Sequence, residues 1–261
     1  MRLPKVSVLL ATAVLVVGAA ACGDDEPTPV VGGEGQGDPT VAFGSPEDGE
    51  HFAGAVDLFM TAVGVTIEPA GEVHHDAGHF HVIADEDCVP AGAPIERDAD
   101  HVHFGMAQTD GKIYLEPGEH DLCLQVGDGE HHALDLSDST TITVGVESRE
   151  DWCKVIGEVD DLFTTTEADA EADFAARKIA YENVRRLITQ LEEGISHVDA
   201  DAREFVVASL SQSKAIASAY ADATDQAAAE QALSVIVAEN PTESGPGAPW
   251  ILEHCQVDIA T

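Results

Sequence analysis

Residues 78–85 read Gly-His-Phe-His-Val-Ile-Ala-Asp, and this stretch decides how the first half of the chain folds. On a β-strand, side chains two residues apart point to the same face, and their backbone positions are about 6.6–7 Å apart. His79 and His81 therefore share one face, whereas Phe80 points to the opposite face, toward a core. The stretch predicts a strand with one imidazole face and one hydrophobic face.

A second stretch repeats this pattern. Residues 101–104 read His-Val-His-Phe, so His101 and His103 share a face and Val102 points the other way. Two such histidine pairs can reach one ion, because metal–nitrogen bonds to imidazole are about 2.0–2.1 Å long. The spacing therefore indicates a metal site built on two strands.

Further candidate ligands lie in the same half of the chain, because nine of the twelve histidines fall between positions 74 and 132. Asp85 is an even number of residues from His79 and His81, so on a continuous strand it would point to the same face. It can therefore bind the ion or orient a ring. We expect His74, His75 and His132 to be peripheral. The predicted metal ligands are His79, His81, Asp85, His101, His103, His120 and His131.

The ligand types restrict the metal. Imidazole suits zinc, copper, nickel or iron, and the affinity order of divalent ions favours Cu²⁺. A Cu⁺ site would need cysteine or methionine ligands, and the chain has only three methionines. The predicted cofactor is therefore Cu²⁺ or Zn²⁺, with an affinity that falls near and below about pH 6 as the rings protonate. Structural or pH-sensitive histidines, and catalytic ones, stay open as alternatives.

The surrounding residues, 41–147, have the composition of an all-β domain. Gly, Val, His and Thr are abundant, and turn signals recur about every 8–12 residues. Residues 56–61 alternate between the two faces of a strand. Further short strands are predicted at residues 113–115, 122–126 and 141–146. About seven short strands in this length are typical of an immunoglobulin-like β-sandwich.

The composition shifts after Glu150 to Ala, Glu, Asp and Gln. One apolar stripe recurs at the spacing of a long amphipathic helix. Its residues are Phe174, Tyr181, Val184, Ile188, Leu191 and Ile195. Other helices are predicted at residues 152–163, after a cap at Asp199 or Asp201, and at residues 225–239. Short connections predict a small antiparallel helical bundle at residues 150–258. The fold class is thus α+β, with two separate domains.

The start of the chain has the features of an export signal. Two basic residues precede an apolar run over residues 6–21, and small residues lead to Cys22. This order predicts a lipoprotein signal peptide at residues 1–21, a lipid on Cys22, and a flexible tether over residues 22–40. We therefore expect a lipid-anchored protein on the extracytoplasmic face of the cell membrane. A cleaved secretory signal is the main alternative, because the run is too short for a transmembrane helix of about 20 residues.

The cysteine count agrees with a lipid on Cys22, since an exported chain with five cysteines otherwise has one unpaired. Four cysteines allow three pairings. The pairing expected here is Cys88 with Cys123 and Cys153 with Cys255, because each pair lies within one predicted domain. The absence of a C-x-x-C motif argues against redox catalysis.

Charge excludes one class of partner. The formal net charge is −37, so the chain repels nucleic acid and anionic lipid. The sequence contains no G-x-S-x-G, H-E-x-x-H, P-loop or G-x-G-x-x-G motif, so it does not indicate a known enzyme class.

Several blocks of the β half resemble a bacterial family known as domain of unknown function 4399. These blocks are residues 78–85, 103–110 (HFGMAQTD), 115–128 (LEPGEHDLCLQVGD) and 131–132. Phe80 stands where the family pattern has a histidine, and Met106-Ala107 where small glycines are usual. The resemblance spans residues 41–146, and the family carries no established activity. It implies that the family positions are taken by His79, His81, Asp85, His103, Gln108, Thr109, His120, Asp128 and His131.

Together these features predict a cell-surface lipoprotein that binds a divalent transition metal through histidines. The alternative is an envelope scaffold or adhesion module whose histidines only hold the strands together. A third possibility is a small metalloenzyme. The helical half, flanked by two cysteines, loosely resembles that of some actinobacterial surface lipoproteins.

Overall fold

The structure is a computed structural model, and it describes residues 38–168, 173–239 and 247–257. The predicted signal peptide, Cys22 and nearly all of the predicted tether lie outside the described residues. So do Asn240 and Pro241, which follow the helix predicted at residues 225–239. All of the described residues belong to one compact unit.

Within the described residues, the first half of the chain is built from nine strands. They are β1 Thr40–Ser45, β2 His51–Phe52, β3 Val56–Val63, β4 Thr66–Ile67, β5 Ala77–Ala84, β6 His101–Phe104, β7 Asp110–Ile113, β8 Gly118–Gly127 and β9 Ala133–Val144. The strands predicted at residues 56–61 and 122–126 lie within β3 and β8. The strand predicted at residues 113–115 is misplaced, because residues 110–113 pair with β3.

The strands form two sheets. One has the order β1-β3-β7, and the other has the order β2-β9-β8-β5-β4, with β6 also paired to β5. Apolar side chains from both sheets meet in a shared core, which includes Leu58, Phe80, Leu124 and Ile142. The first half is therefore β-rich, as predicted, whereas the finer assignment to an immunoglobulin-like sandwich stays a prediction.

β5 is an inner strand of the larger sheet, and all eight of its residues are buried. It pairs antiparallel with β8 on one side and with β6 on the other. His81 is opposite Gln125 of β8 and opposite His103 of β6. Side chains directly opposite one another share a face, so this register brings both imidazoles to the same side of the sheet.

The second half of the described chain contains five α-helices and one short 3₁₀ helix. They are α1 Arg149–Ala168, α2 Phe174–Glu193, the 3₁₀ helix Gly194–His197, α3 Arg203–Ala221, α4 Gln226–Glu239 and α5 Gly247–Cys255. Four residues of the predicted apolar stripe are buried in one core with Trp152 of α1: Tyr181, Val184, Ile188 and Leu191. Among the described helices, none has both the length and the hydrophobicity that a membrane span requires.

Helix boundaries differ from the predictions where side chains have other partners. α1 begins at Arg149, earlier than expected, because the Ser148 hydroxyl accepts the Asp151 N–H at its first turn. The predicted cap of α3 is wrong, since Ala202 precedes that helix without a side-chain capping bond. The Asp199 carboxylate instead accepts the indole N–H of Trp250 at 3.0 Å.

Polar side chains of α2 join the helices to the β-rich part. The buried Arg186 donates to the Tyr114 carbonyl at 2.8 Å and to the Asp100 carboxylate at 2.7 Å. Gln190 donates to the Leu115 carbonyl at 2.9 Å and accepts the Gly54 N–H at 2.8 Å. These bonds satisfy backbone groups of loops that lead into and out of the strands. The division into two domains at residues 41–147 and 150–258 stays a prediction.

Candidate metal centre

Four imidazole rings meet on one face of the larger sheet. His79 and His81 come from β5, His103 from β6, and His131 from the loop between β8 and β9. The ring centroids of these four residues lie 4.7–5.8 Å apart. We call these four residues the histidine cluster. It unites parts of the chain that are as many as 52 residues apart, from His79 to His131.

Strand geometry explains three of the four rings. In β5, Phe80 and Val82 point into the shared core, which leaves His79 and His81 on the opposite face. β6 pairs with this strand so that His103 lies directly opposite His81. The alternation predicted from the sequence is therefore confirmed for these two strands.

His131 reaches the cluster through an unusual backbone conformation. Its φ is +70°, in the left-handed region that non-glycine residues seldom adopt. Its N–H donates to the Asp128 carbonyl at 2.9 Å, and its carbonyl accepts the Ile95 N–H at 2.8 Å. The surrounding loop therefore holds His131 in a conformation that the chain would otherwise disfavour.

The ring nitrogens converge to distances that suit a metal ion. The Nε2 atoms of His79 and His81 are 3.0 Å apart, and those of His103 and His131 are 3.1 Å apart. One ligand nitrogen from each of His79, His81 and His103 lies within 4.8 Å of the other two. Tetrahedral zinc with nitrogen ligands at 2.0–2.1 Å needs nitrogens about 3.3 Å apart. The two Nε2 pairs are close to that separation, and among the described residues the group whose nitrogens all lie within 4.8 Å of one another is His79, His81 and His103.

Burial keeps the rings in the neutral form that binds metals. His79 and His81 have no exposed surface. Burial, together with the neighbouring imidazoles, lowers the pKa of His79 to about 4 and that of His81 to about 2. Burial, with the charges of His131 and Arg97, lowers the pKa of His103 to about 4. Protons therefore compete with a metal at these rings only at acidic pH.

Two atoms of the cluster lack hydrogen-bond partners. The Nδ1 atoms of His79 and His81 are buried and unpaired. A neutral imidazole carries one proton, and an unpaired buried polar nitrogen costs free energy. Unpaired buried groups are rare in native structures, and a metal bound through Nε2 would leave each Nδ1–H without the acceptor that ligating histidines usually have.

The chain between β5 and β6 covers the cluster. Cys88 is bonded to Cys123 of β8, and the Gln125 side chain pairs with both backbone groups of Val89. Ile95 is buried in a small core with Ile83 and Cys123. We call residues 86–97 the covering segment. The inner two rings are fully buried, whereas His103 and His131 stay partly exposed.

Two predicted ligands, His120 and Asp85, lie elsewhere. The His120 Nδ1 is 2.7 Å from the Asp85 carboxylate, and its Nε2 is 2.7 Å from the Glu116 carbonyl. Asp85 leaves the predicted strand parity because β5 ends at Ala84 and Asp85 has a φ of +59°. His120 is five residues along β8 from Gln125, or about 17 Å at 3.4 Å per residue. The structure therefore pairs these two residues with each other, away from the histidine cluster.

His101 shares the face of His103 but makes its own contacts. Its Nδ1 is 2.9 Å from the Asp98 carboxylate, and its Nε2 is 3.9 Å from the Glu86 carboxylate. Asp98 also accepts the His101 N–H at 2.8 Å. His101 thus anchors the end of the covering segment, next to the cluster.

Other histidines lie at the edge of the site, as predicted. His74 pairs with Glu68 and His75 with Asp76, and both are exposed. The His132 ring is 3.6 Å from the Asp128 carboxylate. Their imidazoles are therefore already engaged with carboxylates.

Glycines beside the rings were not identified from the sequence. A Cβ at Gly127 would lie 2.9 Å from the Nε2 of His81, and a Cβ at Gly105 would overlap the His103 ring. Gly127 is opposite His79 in the pairing of β5 with β8, and Gly105 directly follows β6, but the sequence alone gives neither position. The cluster needs both small residues, because the rings occupy the space that a side chain would fill.

The remaining predicted residues have structural contacts. The side-chain amide oxygen of Gln108 accepts the Met106 N–H, and the backbone carbonyl of Thr109 accepts the Met60 N–H. Both residues shape the turn that follows β6. The two expected disulfides, Cys88–Cys123 and Cys153–Cys255, are confirmed.

In comparisons with known proteins, one family model matches part of the chain. No curated protein matches the chain. Among solved structures, the fibronectin(III)-like modules of Clostridium thermocellum CbhA align with 41% of this chain at 17% identity and a TM-score of 0.24. The alignment spans 46% of that structure's chain, or about half of its length. Residues 58–147, which contain the whole histidine cluster, match the family model described as Domain of unknown function (DUF4399).

Proposed function

We propose that this chain binds one divalent transition metal, Cu²⁺ or Zn²⁺, in the histidine cluster. The observation that carries the proposal is the convergence of four imidazoles, of which the inner two are fully buried. Neutral imidazole is a ligand for both ions, and tetrahedral zinc takes four ligands. His79, His81, His103 and His131 would hold the ion.

The ligand number favours holding a metal over catalysis. A catalytic zinc site keeps an open position with three protein ligands, whereas a closed site uses four. His79, His81 and His103 supply three ligands, and with His131 as the fourth a bound ion would have no position left for a substrate. The partial exposure of His103 and His131 leaves one side by which an ion can enter or leave. Sequestration or delivery of the metal fits this arrangement.

We also propose that the protein is anchored by a lipid on Cys22 at the extracytoplasmic face of the cell membrane. The signal-like order of residues 1–22 supports this location. Two disulfides fit an oxidising compartment. Mass spectrometry of the mature N-terminus tests it: an acylated Cys22 is expected, and an unmodified N-terminus in the culture medium would contradict it.

The metal proposal is tested by elemental mass spectrometry of the full exported chain, purified without a histidine tag. We expect close to one copper or zinc per chain, lost in the His79→Ala/His81→Ala variant. The matched control is His74→Ala/His75→Ala, which removes two exposed imidazoles and should keep the metal. A folded wild-type protein that contains no metal, and takes up none on titration at neutral pH, would overturn the proposal.

One observation favours a second candidate, in which the histidines are purely structural. The two Nε2 pairs, at 3.0 and 3.1 Å, are also at hydrogen-bonding distance. An envelope scaffold or adhesion module would use these bonds to join β5, β6 and the loop. It predicts that the His79→Ala/His81→Ala variant loses stability while the wild-type protein binds no metal.

A further inference from the structure

The loop that carries His131 is built around one carboxylate. Asp128 Oδ1 accepts the N–H of Glu130 and the N–H of His132, each at 2.9 Å. The backbone of Asp128 also donates to the His132 carbonyl and accepts the His131 N–H, both at 2.9 Å. Four hydrogen bonds from a single residue therefore close the loop on both sides of His131.

These bonds determine where the His131 ring lies. With a φ of +70°, His131 projects its side chain in a direction that an extended residue would not allow. Holding a non-glycine residue in this region costs of order 1–3 kcal/mol, so the surrounding contacts must impose it. The Asp128 side chain is mostly buried, with 17% of its surface exposed. Its two accepted bonds lie immediately before and after His131 in the loop.

The neighbouring residues leave little freedom for the loop to adopt another shape. The Gly129 carbonyl accepts the Gly71 N–H at 2.9 Å. A Cβ at Gly129 would come within 2.5 Å of the Glu72 carbonyl oxygen. The loop is thus packed against a second segment on one side and the covering segment on the other. Asp128 lies where β8 ends, so it links the sheet to this packed loop.

We infer that Asp128 is the positioning residue for His131, and that it completes the metal site by fixing the fourth imidazole. Asp128 acts through His131 and is not itself a ligand. The inference rests on the proposed metal site. Asp128 is not among the ligands predicted from the sequence. Its carboxylate orients His131 through the hydrogen bonds that Oδ1 accepts, and not mainly through its charge.

The test measures Zn²⁺ and Cu²⁺ affinity, and the copper EPR spectrum, of full-length variants at a temperature at which all are folded. Asp128→Ala should weaken binding by about 10- to 100-fold, the usual effect of losing a residue that orients a ligand. Its EPR spectrum should match that of His131→Ala, with fewer coordinated nitrogens than the wild type. Adding Asp128→Ala to His131→Ala should produce no further loss. A merely structural residue would add its own effect and leave the spectrum unchanged.

Two controls separate geometry from charge and from general destabilisation. Asp128→Asn keeps the Oδ1 acceptor but removes a charge that acts on His79, so it should weaken binding only a few-fold and keep the wild-type EPR spectrum. Asp138→Ala removes another carboxylate that accepts a backbone N–H, that of Phe43 at 2.9 Å, and should not alter binding. Should Asp128→Ala not fold, Asp128→Glu displaces the acceptor by one methylene and should reproduce the His131→Ala spectrum.

Wild-type affinity and spectrum in Asp128→Ala would overturn the inference, as would a loss in Asp128→Asn equal to that in Asp128→Ala. Neither result affects the proposed function, because the wild type and His131→Ala still report on the metal site. Conversely, absence of metal binding in the wild-type protein would refute the proposed metal site itself, whatever the Asp128 variants show.

Discussion

The Nε2 atoms of His103 and His131 lie 3.1 Å apart although 28 residues separate them in the chain. β6 carries one ring and the β8–β9 loop carries the other, so the pair exists only when both segments are folded onto β5. A metal held by this pair binds the native state and not the unfolded chain. Metal binding at this pair would therefore be linked to folding.

The first prediction follows from that linkage. Zinc at about 100 times its dissociation constant should raise the free energy of unfolding by about 2.7 kcal/mol. Thermal unfolding with and without zinc measures the effect as an increase in Tm. The His79→Ala/His81→Ala variant should show no increase. An equal rise in both proteins would mean that the ion binds elsewhere, for example at surface carboxylates.

The second prediction distinguishes His120 from the cluster. His120→Ala removes the partner of Asp85 and of the Glu116 carbonyl, so it should lower stability by about 1–3 kcal/mol. Metal affinity should stay within twofold of the wild type, because the residue lies far along β8. Titration with zinc, beside chemical denaturation, measures both effects. A loss of affinity as large as that of His81→Ala would place His120 in the metal site.

The third prediction concerns pH. Burial lowers the pKa of His79 to about 4, below the value of 6.5 for a free imidazole. Between these values the unfolded chain binds more protons than the folded one, so the stability of the metal-free protein falls as the pH falls. His79 alone should account for roughly 3 kcal/mol across this range.

Urea denaturation of the metal-free protein at neutral pH and near pH 4.5 checks this expectation. A His79→Phe variant should lose less stability over the same range, because it has one fewer ring to protonate. Stability that rises on acidification would contradict the lowered pKa. The sequence alone predicts that metal affinity falls near and below about pH 6. Because the pKa values are low, we expect the metal to be lost at a lower pH than that.

The fourth prediction compares the two disulfides. Cys88–Cys123 closes a loop of 35 residues and holds the covering segment against the sheet. Replacing both cysteines by serine should lower stability by about 3–4 kcal/mol in the chain-entropy treatment. It should also speed metal dissociation, since residues 86–97 would open more often. Stopped-flow transfer of zinc to a chelator measures the rate.

The Cys153→Ser/Cys255→Ser variant is the matched control. That bridge spans 102 residues and joins α1 to α5. Its loss should cost up to about 5 kcal/mol but leave the dissociation rate unchanged. Equal dissociation rates in the two variants would mean that the covering segment does not retain the metal.

The sequence predicts the parts of this site that depend on strand alternation. His79, His81 and His103 could be placed because a period of two is visible in the residues themselves. Asp85 could not be placed, because the prediction assumed that the strand continues through residue 85. The strand ends before that residue, whose φ is +59°. His120 fails for a different reason: its distance from the cluster depends on the pairing of β8 with β5, and no short-range pattern gives that register.

The helical half shows the same limit. The buried stripe of α2 was predictable from its spacing, and so were the disulfides, because each pair lay within one compositional region. The bonds from Arg186 and Gln190 to the strand loops were not, since they join residues more than 70 positions apart. Asp199 was misassigned as a cap because its carboxylate has a tertiary partner, Trp250.

Zinc K-edge X-ray absorption on the full-length protein, loaded with one equivalent of zinc, tests the metal site most directly. We expect a first shell of nitrogen alone at about 2.0–2.1 Å, with the outer-shell scattering typical of imidazole. The chain carries 49 carboxylates, so adventitious zinc would be bound mainly by oxygen. An oxygen-dominated shell, or a spectrum unchanged by His79→Ala/His81→Ala, would contradict a metal centre in the histidine cluster.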